Sequence, residues 1–147
     1  MSIESLEFFW NLNDSRIVAA IADAERQTSG EIRVYVSESE VDDPVRAAET
    51  QFEQMGMTAT KDRNGVLIFV APRSHKFAIV GDSGVHARCG QSFWESVATE
   101  MRKYLKTDRP TDALVFGIRM AGQRLKEHFP REDDDVNELP DAVQRGR

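Results

Sequence analysis

Three acidic residues in this sequence have the chemistry to hold a hard divalent cation, provided the chain brings them together. They are Glu31, Asp62 and Asp82. Carboxylate oxygens, helped by main-chain carbonyls, are the donors such ions take. Asp82 stands in Gly81-Asp82-Ser83-Gly84, whose glycines let the backbone approach a ligand closely. Nearby are Arg63, a side chain able to hold a phosphate, and His86, able to donate a proton. The plainer reading is that Asp62 and Asp82 are turn residues and Glu31 a surface acid at a strand edge.

Other chemistries fail on spacing. Gly81-Asp82-Ser83-Gly84 echoes a serine-protease nucleophile loop, but Val85 stands where that loop has a further glycine. The same residue breaks the G-x-S-x-G pattern of an α/β hydrolase. Cys89 lacks the arginine about six residues on that a cysteine phosphatase needs, since that position is Glu95. His75, His86 and His128 are scattered, with no zinc spacing. Asp133-x-Asp135-x-Asn137 begins like a calcium loop, but Glu138 stands where that loop requires glycine and Gln144 where it requires glutamate. No Walker-type phosphate loop is present.

The elements that must position the three acids are legible in the hydrophobic spacing. Ile17, Ala20, Ile21 and Ala24 predict a helix over about Ser15–Gln27, capped by Asn13 or Asp14 and stopped by Gly30. Glu31–Ser37 alternates as a strand does. Asp43-Pro44 opens a second helix with stripe Ala48, Phe52 and Met55, and Gly56 ends it. After the Asn64-Gly65 turn, Val66–Ala71 is apolar on both faces, as in a central strand. Phe77–Val80 follows as an antiparallel third strand. Trp94, Val97, Ala98, Met101 and Leu105 mark a further helix, after a short helical turn around Cys89. Leu114, Ile118, Ala121 and Leu125 mark the last, from Pro110 to Phe129-Pro130. Trp94 and Phe116 lie on apolar faces, as core residues do. The crossover between the first two strands makes them parallel. The expectation is a three-layer α/β/α sandwich with a small mixed sheet, Rossmann-like. In such a sheet one edge gathers Thr28, Ser29 and Glu31, then Asp62, Arg63 and Asn64, then Asp82, Ser83 and His86.

Composition bounds the rest. The chain has 147 residues, enough for one domain over 1–147 with a real core. One cysteine excludes a disulfide framework. The net charge of −6 argues against nucleic acid as a partner. Residues 131–147 carry three bases and six acids, so half of that net charge sits in the tail. The acidic start and short apolar runs predict no secretory signal and no membrane span, hence a cytoplasmic, membrane-peripheral at most, protein. Leu6, Phe8, Phe9, Trp10 and Leu12 predict an N-terminal segment packed on the body.

Several blocks together resemble the TPM domain family. They are Thr28-Ser29-Gly30-Glu31-Ile32-Arg33-Val34, Arg63-Asn64-Gly65-Val66-Leu67-Ile68-Phe69-Val70-Ala71, His75-Lys76-Phe77-Ala78-Ile79-Val80-Gly81-Asp82, Gly84-Val85-His86, Phe93-Trp94 and Asn137-Glu138-Leu139-Pro140-Asp141. They cover roughly residues 8–142. The likeness is to the short bacterial type, without the membrane segment of YgcG-like members. The resemblance implies an α/β/α sandwich and a polar edge made of Glu31, Arg63, Asn64, Asp82 and His86. It also implies calcium or a related ion as ligand and a membrane-associated partner of the LemA type. Thylakoid-lumen members, linked to photosystem repair, have acid phosphatase activity attributed to them. Two functions follow as expectations. One is an accessory module binding a divalent cation, calcium first, through Glu31, Asp62 and Asp82. The other is a metal-assisted acid phosphatase with Arg63 gripping phosphate, Asp82 as ligand or base and His86 as proton donor. The recurring block at Asn137–Asp141 predicts that Leu139 packs on the body and that the chain is ordered to about Val143, with Glu132–Asp135 a solvated link.

Overall fold

Local signals settle most element boundaries in the computed structural model, which describes residues 12–131 and 143–146. Helix α1 is Asp14–Glu25, and the Asn13 side chain accepts from the Arg16 N–H at its start. Strand β1 is Glu31–Ser37. Helix α2 is Pro44–Gln54, with Asp43 as the side-chain cap and Pro44 in the first turn. Gly56, in the left-handed region at φ 72°, turns the chain out of it into a single 3-10 turn, Met57–Ala59. Strands β2 (Gly65–Ala71) and β3 (Lys76–Gly81) are joined by the turn Pro72–Ser74.

Helix α3 is Ser83–Cys89, a separate element of seven residues rather than only a turn. Helices α4 (Gln91–Lys106) and α5 (Pro110–His128) are the remaining helices among the described residues. A fourth strand, β4 (Val143–Gly146), follows at the C-terminal end.

The sheet order is β3-β2-β1-β4. β1 and β2 are parallel, β2 and β3 antiparallel, as the connections require. β4 lies parallel on the other side of β1, pairing Val34 with Val143 and Ser37 with Gly146. The sequence reading had three strands. Val143-Gln144-Arg145-Gly146 shows no alternation, so only the partner strand reveals it.

Alternation splits the sheet into two faces. Ile32, Val34, Val36, Val66, Ile68 and Val70 pack with α1, α3, α4 and α5 in the larger core. Tyr35, Leu67, Phe69, Ala78 and Val80 pack with Ala48, Phe52 and Met57 of α2 and the turn after it. Tyr35 and Phe69 stack at 5.8 Å between ring centroids. This is the expected α/β/α sandwich. Trp94 is buried and Phe116 packs half-buried against the larger core. Leu12 does the same, while the other apolar residues of the N-terminal segment, Glu132–Asp135 and Leu139 lie outside the described residues.

Candidate functional site

Register fixes which residues meet. Glu31 is level with Gly65, and Val66 with Gly81. The starts of β1 and β2 and the end of β3 therefore share one edge, as the topology predicts. The side chains there sort themselves differently from the sequence reading.

Arg63 and Asp82, nineteen residues apart, close on each other. Arg63 Nε donates to Asp82 Oδ2 at 2.7 Å and Nη2 to Oδ1 at 2.8 Å, a two-pronged grip. Asp82 also caps α3, accepting from the Ser83 N–H at 2.7 Å. The Asp82 side chain is 5% exposed and that of Arg63 50% exposed, so a half-exposed guanidinium is paired with a buried carboxylate. The carboxylate raises the arginine's pKa further above its ordinary value, chiefly through the hydrogen bonds.

The backbone is shaped to make this grip. Arg63 itself is left-handed, at φ 51°, which costs energy for a residue with a β-carbon. The Gly84 N–H donates to the Arg63 carbonyl at 2.9 Å. A β-carbon at Gly84 would collide with the carbonyl oxygens of Asp62 and Arg63, so the close approach of α3 to this turn requires glycine. Asn64 Nδ2 donates to Ser29 Oγ at 3.2 Å and ties the starts of β1 and β2.

Glu31 goes elsewhere. Its carboxylate accepts from Arg33 Nη2 at 2.8 Å. Arg33 Nη1 donates to Glu25 Oε2 at 2.8 Å and to the Ile32 carbonyl at 2.6 Å. Glu25 also accepts from the Ile32 N–H at 2.8 Å. Arg33 is 1% exposed and both glutamates are buried. A charge-assisted network thus joins the end of α1 to the start of β1. Sequence reasoning missed it, because a polar residue alternating with valines reads as solvent-facing.

Asp62 is exposed, and so is His86, whose main-chain N–H donates to the Asp82 carbonyl at 3.1 Å. Glu31, Asp62 and Asp82 share an edge without forming a ligand cluster. Among the described residues no three His, Cys, Asp or Glu lie close enough to hold a metal ion. A divalent cation does not fit the carboxylates as arranged, since Glu31 and Asp82 are each engaged by an arginine. Arg63, Asp82 and Ser83 do converge. Cys89 is a buried free thiol whose pKa is raised by burial, unsuited to nucleophilic work.

The opposite end of the sheet, where α/β proteins often bind ligands, carries a groove. Glu40, Val41, Asp42, Asp43 and Arg46 line it, and Lys76 Nζ donates to the Asp42 carbonyl at 2.8 Å.

Comparison with known proteins supports the architecture and one family. The TPM domain model matches residues 7–124. The chain is similar to the BA42 protein of the psychrophilic bacterium Bizionia argentinensis, known by NMR. Identity is 37%, the alignment covers 92% of this chain and 96% of that one, and the TM-score is 0.85. It also shares its fold with the N-terminal domain of a P. gingivalis protein, at 16% identity, TM-score 0.67 and 82% coverage of each chain. No curated protein matches. Among the described residues no helix is long and apolar enough to cross a membrane.

Proposed function

This chain belongs to the TPM domain family, and from that premise we propose that it works as a binding module rather than a hydrolase, with the Arg63–Asp82 corner as its working face. One observation carries the reading. A general base must face the proton it takes, within hydrogen-bond reach, yet both oxygens of Asp82 already accept from Arg63 and one accepts from Ser83 as well. What the corner offers outward is the half-exposed guanidinium of Arg63, on a turn built to hold it in place. Such a group suits recognition of an acidic or phosphate-bearing partner.

Finer readings are proposals of the same kind. A membrane-associated partner of the LemA type is the partner that the family suggests. A calcium-like cation on Glu31, Asp62 and Asp82 requires Asp82 to release Arg63 and Glu31 to release Arg33. Acid phosphatase chemistry on Arg63, Asp82 and His86 requires the release of Asp82 likewise, because Asp82 is neither a free ligand nor a free base while Arg63 and the Ser83 N–H hold its oxygens.

Hydrolysis of p-nitrophenyl phosphate, assayed from about pH 4 to 7 to cover a carboxylate and a histidine, tests the proposal. We expect wild type to turn over no more than Asp82→Ala. Turnover that is abolished by both Asp82→Ala and Arg63→Ala would make the edge an active site.

A further inference from the structure

We infer that Arg63 is the built-in cation of this edge: its guanidinium stands where a divalent ion would stand on Asp82 and keeps the carboxylate closed to metal. This holds whether or not the edge docks a partner. The geometry supports it at three points. The two arginine bonds, 2.7 and 2.8 Å, and the Ser83 N–H together engage both carboxylate oxygens. The carboxylate is buried while the guanidinium bound to it is half-exposed, so the arginine is the more solvent-accessible member of the pair. The turn that carries Arg63 is fixed by its left-handed backbone, the Gly84 N–H bond and the absence of a β-carbon at Gly84.

A tethered guanidinium competes at a high effective concentration. A calcium ion must also shed water before it gains the carboxylate. Removing the tethered cation leaves a buried carboxylate without its two arginine bonds, and a carboxylate is a donor that a hard cation takes. The inference is therefore specific. This chain replaces metal by arginine at Asp82, and one substitution reverses the exchange.

The test is calcium chloride titration by calorimetry and by thermal shift on wild type, Asp82→Asn, Arg63→Asn and the double variant. Asparagine tolerates the left-handed backbone at residue 63. We expect no wild-type response that Asp82→Asn removes. We expect Arg63→Asn to bind calcium at least tenfold more tightly than wild type, and the double variant to lose that gain. Wild-type binding that depends on Asp82 overturns the inference. So does an Arg63→Asn variant no better than wild type. If circular dichroism shows Arg63→Asn unfolded, Arg63→Lys is read instead. Lysine keeps the charge but loses the fork, so an intermediate affinity is expected and a wild-type response overturns the inference.

Discussion

Arg33 and Arg63 are two arginines with opposite lessons at the scale of single residues. Arg33 is sealed between Glu25 and Glu31 at the start of β1. Replacing it by methionine leaves two buried carboxylates without this guanidinium, a loss of about 3–5 kcal/mol. Thermal unfolding should fall by at least roughly 6 °C in a protein of this size. Adding Glu25→Gln and Glu31→Gln should recover part of the fall, because the desolvated charges go with the arginine. Additive losses in the triple variant would contradict the network. None of this was legible in the sequence, where Arg33 looked like the polar half of an alternating strand. Arg63 and Asp82 were legible as individual residues with useful chemistry. That they engage each other was not, because their contact depends on how β2 and β3 bring two turns level.

Elements were easier to read than contacts. Hydrophobic spacing, the Asp43-Pro44 start and the Asn64-Gly65 turn located three strands and the main helices, since each signal acts within a few residues. β4 escaped because its pairing is made by β1, more than a hundred residues earlier. It is held by Arg145, whose guanidinium grips the Asp14 carboxylate at 2.8 and 2.6 Å, and by the Glu38 N–H, which donates to the Gly146 carbonyl at 2.7 Å. The Arg145 contact holds the Asp14 pKa below its ordinary value, chiefly by hydrogen bonding. A lowered carboxylate pKa contributes stability above the unfolded value, and that stability is lost as pH falls through the folded one. Protection of the Val36 and Glu38 amides, relative to their intrinsic exchange rates, should therefore fall below about pH 4, and Arg145→Ala should show the lower protection already at neutral pH. Equal protection in both proteins at neutral pH would mean that the ion pair does not hold the strand.

At the scale of the whole molecule, one sheet carries two apolar cores, one on each face, and leaves its polar business to an edge. The sandwich and its family were legible in the pattern of blocks, because packing two faces demands long apolar runs at fixed spacing. The ligand was not, because carboxylates drawn as a metal cluster in sequence are answered in space by arginines from the same chain. The account rests on Asp82 being committed to Arg63 in solution, and an NMR spectrum of the arginine Nε–H groups tests that most directly. The account predicts a slowly exchanging Arg63 Nε–H signal that persists when calcium chloride is added and disappears in Asp82→Asn. A wild-type protein with no such signal, or one whose signal is lost on adding calcium, would contradict it.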